Sequence, residues 1–300
     1  MSYEFQLAVD KNYMNGQDDI ENVHAIQSKM DSYTLSQYNS GTTEQKPDGT
    51  FDEKNNFVPS EYVLTLPMEE YFDKANKLLA KNPPFEADKD IVERIAKINV
   101  GANLEFDSSI FGENSDEIWK NLVSGITEKV TKASLKFMKK NGSWSYMGAP
   151  IAEFGTEYEY RALISIVGLG ANPVSIAVYP KTDTDAEGNR LNGKNKYVLH
   201  IDADKLPPVE ESGFWSITAY DENNFLIDNE IDRYCINDRS DVVFNEDGSL
   251  DIYIQAEKPE ENISNWLPVC EEDFHLVLRV YLPTDEVKNN NWPAPVINMK

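Results

Sequence analysis

Two stretches decide the fold: Ser249-Leu250-Asp251-Ile252-Tyr253-Ile254-Gln255-Ala256 and Phe274-His275-Leu276-Val277-Leu278-Arg279-Val280-Tyr281-Leu282. In the first, Leu250, Ile252 and Ile254 alternate with Asp251, Tyr253 and Gln255, so an extended chain would have one apolar and one polar face. In the second, Phe274, Leu276, Leu278 and Val280 share a face, and Arg279 and Tyr281 fall on the opposite one. The same two-residue period begins after Pro173 and covers Val174 to Tyr179, Lys196 to Ala203 and Phe214 to Tyr220. Asp247-Gly248 and Glu187-Gly188 supply turn chemistry beside these strands. No helical pattern lies between them, so the sheet should be antiparallel and close into a two-layer sandwich of jelly-roll type over residues 171–300.

Upstream of that switch the apolar period is 3.6. Met68, Tyr71, Phe72, Ala75, Leu78 and Leu79 mark one helix, with Glu69 and Glu70 in its first turn and Asn82-Pro83-Pro84 at its end. Asp88 should cap a second, with Ile91, Val92, Ile95 and Ala96 on its face and Gly101 closing it. A third is expected over Ser115 to Lys140 on the stripe Trp119, Leu122, Ile126, Val130, Ala133 and Phe137, and a fourth over Glu157 to Val167 with Leu163, Ile164 and Val167 inward. Nearer the N-terminus, Tyr3 to Val9 alternates as a strand would, a short helix is expected around Asp18 to Ser28, and Ser36 to Pro59 reads as a long exposed loop. The chain is therefore expected to be α+β, an N-terminal helical segment followed by an antiparallel, jelly-roll-like β-sandwich. Its expected divisions are residues 1–59, a helical connector at 60–170 and the sandwich at 171–300.

The 300 residues include 52 acids and 28 bases, a formal net charge of −24. A phosphate backbone binds through Lys and Arg, so nucleic acid and anionic membranes are poor partners for this chain as a whole. No apolar run reaches eighteen residues, and Met1-Ser2-Tyr3-Glu4 opens without a basic or apolar leader, so no membrane span is expected and the chain as written reads as untargeted. Two cysteines, Cys235 and Cys270, make neither a disulfide scaffold nor a thiolate metal site; they read as one disulfide or as two packed thiols.

One ordered string of short motifs carries a resemblance. It runs through Leu206-Pro207-Pro208-Val209, Phe214-Trp215-Ser216-Ile217-Thr218-Ala219-Tyr220-Asp221, Asp232-Arg233-Tyr234, Asp247-Gly248-Ser249-Leu250, Asn265-Trp266-Leu267-Pro268, Leu278-Arg279-Val280-Tyr281-Leu282-Pro283 and Trp292-Pro293-Ala294-Pro295. Over about residues 155 to 299 the chain resembles the C-terminal module of proteins in which domains of unknown function 1254 and 1214 occur in tandem. Asp18-Asp19 to Gln27 resembles the tail of the first module, so most of that module is expected to be missing, in a fragment or a natural short form. The resemblance implies a jelly-roll-like fold and, for many bacterial members, export or lipid anchoring, and no established activity.

Two lookalike loops are set aside. Gly188 to Asn195 imitates a phosphate-binding loop, but Asn195 stands where the magnesium-binding hydroxyl belongs. Asp183, Asp185 and Glu187 open like a calcium loop whose twelfth position is Lys194 instead of Glu. His24, His200 and His275 lack metal spacing, so no metal site or cofactor is expected. The candidate ligand-binding residues are Arg161, Trp215, Tyr220, Arg233, Tyr234, Asn265, Trp266, Arg279 and Tyr281, because stacking aromatics and Arg or Asn donors suit a small polar or carbohydrate-like molecule. In the plainer reading these arginines pair with acids and the tryptophans fill the core. The competing functions are a structural protein whose β surface drives homo-oligomer formation, and a hydrolase or lyase whose carboxylates the sequence does not single out.

Overall fold

A computed structural model describes residues 20–31, 33, 35–41 and 52–300. The strand expected at Tyr3 to Val9 lies outside these residues. Backbone contacts divide the chain into two compact units, Met1–Thr65 and Leu66–Lys300.

The first unit carries helices α1 (Ile20–Gln27), α2 (Leu35–Ser40) and α3 (Pro59–Thr65). The long loop expected from Ser36 to Pro59 is thus interrupted. Besides α2 it holds a 3₁₀ turn at Glu53–Asn55, where the Asp52 carboxylate accepts from the Lys54 N–H at 3.2 Å, a local bond that few apolar anchors would reveal.

In the second unit, α4 (Met68–Lys81), α5 (Lys89–Ala96), α6 (Ser115–Ser134) and α7 (Tyr158–Val167) appear near their expected positions. Met68, Val100 and Phe106 form a small core against Phe72, Ile95, Phe111 and Trp119. Several details depart from expectation. Leu78, Leu122 and Val167 belong to the expected apolar stripes yet are exposed, since a stripe drawn from spacing alone is wider than the surface the helix meets. Asp88 makes no side-chain cap; its carboxylate accepts instead from the Phe85 N–H at 3.2 Å and the Tyr158 hydroxyl at 3.0 Å.

The third helix stops at Ser134 rather than Lys140. Met138–Asn141 is strand β1, paired with β2 (Trp144–Met147). Lys139 and Lys140 look like the basic end of a helix, but Gly142-Ser143 forms a two-residue hairpin turn between the paired Asn141 and Trp144, and Gly142 takes the φ of 61° that the first position of such a turn demands. The core supplies the other half of the explanation: Trp144 and Tyr146 alternate inward and are buried.

The strands that follow are β3 (Ala177–Val178), β4 (Lys181–Thr182), β5 (Tyr197–Ile201), β6 (Val209–Asp221), β7 (Cys235–Asn237), β8 (Leu250–Gln255), β9 (Trp266–Pro268), β10 (Phe274–Pro283) and β11 (Val296–Met299), with a short helix α8 (Asp285–Lys288) before the last. They build a seven-stranded sheet, β1-β2-β4-β10-β6-β7 with β3 also on β10, and a four-stranded sheet, β11-β5-β8-β9. All pairs are antiparallel except β8–β9, which is parallel because an excursion through residues 256–265, and not a tight turn, returns the chain to the same edge. That exception corrects the expectation of a wholly antiparallel body. Ile217, Leu276, Leu278 and Val280 of the larger sheet and Leu199, Ile252 and Ile254 of the smaller one join a single apolar cluster. Burying each such side chain contributes about 1.5 to 3 kcal/mol, so the two layers are held face to face. No described helix is long and apolar enough to cross a membrane.

Candidate functional site

The alternation that sends Leu276, Leu278 and Val280 into the core sends His275, Val277, Arg279 and Tyr281 to the outer face of the seven-stranded sheet. Directly opposed residues in an antiparallel ladder point the same way, and the register defines the rest of that face. His275 pairs with Tyr220, Val277 with Thr218, Arg279 with Ser216 and Tyr281 with Phe214. On one flank Thr218 and Ser216 pair with Cys235 and Asn237. On the other, Val277 pairs with Lys181, and Lys181 with Ser145.

Arg279 is the centre of this surface. Its Nη1 donates to the Thr218 hydroxyl at 3.0 Å and its Nη2 to the Tyr220 hydroxyl at 2.7 Å. The guanidinium also lies 5.5 Å from the Tyr220 ring centroid. Two stacked ring pairs bracket it along the strands, Tyr220 on His275 at 5.6 Å and 16°, and Phe214 on Tyr281 at 4.6 Å and 12°. Tyr179 meets Tyr281 edge-on at 6.1 Å, and its hydroxyl accepts from Asn172 at 2.6 Å.

Burial raises the Tyr179 hydroxyl well above the ordinary tyrosine value and raises the Cys235 thiol. Burial, helped by Lys181, lowers His275. The face therefore offers neutral donors and acceptors around a fixed cation, an arrangement suited to binding acceptor groups of a ligand.

Residues 176–285 match the family model "Protein of unknown function (DUF1214)". The matched region holds the whole face apart from Ser145 and Asn172. No curated protein matches the chain. Among solved structures, the chain is similar to the VPA0106 protein from Vibrio parahaemolyticus, with a TM-score of 0.65 at 21% identity over 94% of this chain and 65% of that one. The chain thus spans just under two thirds of that protein, and the likeness concerns the fold. An uncharacterized protein from Burkholderia cenocepacia aligns at a TM-score of 0.35 and 13% identity, over 62% of this chain and 41% of that one. The DUF1214 match agrees with the resemblance of the C-terminal module.

Of the nine residues nominated from the sequence, the structure brings Tyr220, Arg279 and Tyr281 onto this face. The others lie elsewhere. Arg161 stacks on Tyr158 and sits 4.0 Å from Asp88 in the helical part. Trp215 and Trp266 are buried, the Trp266 indole donating to the Gln255 carbonyl at 2.8 Å. Asn265, also buried, donates to the carbonyls of Val243 and Asp251 at 2.7 and 2.9 Å and accepts the Val243 N–H at 2.7 Å. Arg233 donates to the carbonyls of Ile263 and Trp266 at 2.5 and 2.9 Å, and the Tyr234 hydroxyl reaches the Asp232 carboxylate at 3.2 Å. These bonds brace the excursion that leads into β9.

Tyr179, Lys181, Thr218 and His275 were not nominated. Alternation within β6 and β10 would have placed Thr218 and His275 outward, but the pairing that puts Lys181 and Tyr179 beside them is long-range and leaves no mark in local sequence. The set-aside loops are structural. Asp185 is buried and accepts from the N–H groups of Glu187 and Asn189, and a Cβ at Gly193 would collide with the Cys270 carbonyl. Cys235 and Cys270 are free and half-buried.

Proposed function

We propose that the jelly-roll-like body is a binding module that holds a small polar or carbohydrate-like molecule on the outer face of the seven-stranded sheet. Arg279 supplies hydrogen bonds, and the Tyr220 and Tyr281 ring pairs supply stacking surface. The observation that carries this reading is the bonding of Arg279. Its half-buried guanidinium spends two of its five donors on neutral hydroxyls and joins none of the ion pairs among the described residues. A cation on a partly desolvated sheet normally acquires a carboxylate or carbonyl partner, as Arg190 and Arg233 do here. The donors left over on Arg279 are available to a ligand.

Calorimetric titration with a panel of sugars and small acids, on the wild type, Arg279→Ala and Tyr220→Phe, tests the reading when paired with their unfolding midpoints. Each lost hydrogen bond to the charged group costs about 1.5 to 3 kcal/mol, so Arg279→Ala is expected to abolish measurable binding while the core-held fold persists. Wild-type binding that survives Arg279→Ala unchanged would overturn it.

A further inference from the structure

Resting on that reading, we propose that the ligand is an oxyanion, with a carboxylate or phosphate group held between Arg279 and Lys181. Lys181 pairs with Val277, two residues from Arg279 on the same face of β10. Such diagonal neighbours lie about 7 to 8 Å apart, within reach of two long side chains converging on one group. Lys181 is exposed and, like Arg279, takes part in none of the ion pairs among the described residues.

In a chain with 52 acids and 28 bases, two adjacent cations without carboxylate partners need an explanation. The ladder positions around them are Ser145, Ser216, Thr218, Tyr220, Cys235 and Asn237; none carries a carboxylate. Acids lie at the margins: at the Phe214 end Asp238 pairs with Arg239, which stacks on the Phe214 ring, and at the His275 end Asp183, Glu222 and Asp273 line a small cavity of about 80 Å³ with Lys181, where Arg190 occupies Asp273 at 2.8 Å. The chain's mean field repels anions, so the interior of this face is a local exception to it. The planar guanidinium fork matches a carboxylate or phosphate in two bonds, and the lysine adds a mobile point charge. A third cation, Lys140, continues the same row beyond Ser145, which extends the cationic stripe toward the sheet edge.

The test titrates the full chain with three probes, sodium D-glucuronate, inorganic phosphate and D-glucose, and repeats each titration on Lys181→Ala and Arg279→Lys. Glucuronate or phosphate is expected to bind about ten-fold or more tightly than glucose, the effect of one charge-assisted contact. Lys181→Ala should weaken the anion several-fold, and by more than it weakens glucose, while the unfolding midpoint stays unchanged because the side chain is exposed. Arg279→Lys should weaken it further by removing the fork. Whichever anion binds more tightly identifies the ligand group as carboxylate or phosphate. Glucose bound as tightly as the anions, with no effect of Lys181→Ala, would overturn the oxyanion assignment and leave the binding module standing. Anion affinity identical in wild type and both variants would also overturn it, and no binding of any probe at millimolar concentration would overturn both readings.

Discussion

Replacing Asn265 with alanine separates bracing from binding at the other candidate cluster. The Asn265 side chain is 2% exposed and closes four hydrogen bonds, two with Val243, one to the Asp251 carbonyl and one accepted from the neighbouring Ser264 hydroxyl at 3.2 Å. Each is worth about 0.5 to 1.5 kcal/mol net, and a buried partner left without a bond costs more. The two Val243 groups lie beside an exposed side chain and can recover water. The Asp251 carbonyl sits on β8 beneath the parallel β9 edge, where water has poorer access. The expected loss is about 2 to 3 kcal/mol, read as a lower midpoint in urea at unchanged slope. A loss under about 0.5 kcal/mol, the usual scatter of surface substitutions, would refute the reasoning. A variant of native stability that loses ligand affinity would move the binding site to this cluster.

Trp119 is half-buried against Tyr71 and Phe72, at ring distances of 5.1 and 5.6 Å, and donates to the Leu66 carbonyl at 2.8 Å. Trp119→Ala should therefore cost about 2 to 3 kcal/mol in thermal unfolding, below the range for a fully buried ring; no change would show that the helical core does not depend on it. The His200 Nδ1 donates to the Asp251 carboxylate at 2.6 Å across the β5–β8 ladder, and chiefly that bond raises its pKa above 6.5. Its protonated form is the stabilising one, so its contribution is fully present below pH 6.5 and disappears as pH rises through the folded value. Because the ring is 42% exposed, the effect is small after solvent screening, and NMR titration of the ring protons reads it directly; a midpoint below 6.5 would contradict it. Duplex DNA should show no binding at physiological salt, given the net charge of −24; micromolar, salt-sensitive retardation on a gel would refute this.

The α+β order and the apolar face of every long strand were legible because they are local: alternation in β6, β8 and β10 and the 3.6 period in α4 and α6 each fit within one window of residues. Two kinds of feature were not legible. The β1–β2 hairpin was hidden by Lys139 and Lys140, whose charge fits a helix end as well as an edge strand; only the indole and phenol of Trp144 and Tyr146, drawn into the sandwich core, decide between the two. The site was half legible. Arg279, Tyr220 and Tyr281 stand out as polar and aromatic residues opposite core aliphatics. Lys181 and Tyr179 join them through pairings about a hundred residues apart in sequence, and no local pattern encodes that register. Asn265, Arg233 and Trp266 carry the same residue types as a binding site, but their partners are backbone carbonyls, a distinction that only geometry makes.

The most direct measurement is a crystal structure of the full chain with the tightest-binding probe of the titration panel. Ligand density is expected within hydrogen-bonding distance of the Arg279 guanidinium on the outer face of the seven-stranded sheet, with a carboxylate or phosphate toward Lys181. Density instead in the helical groove of about 610 Å³ lined by Asp73, Asn76, Lys77 and Phe106, with the Arg279 face empty, would contradict it.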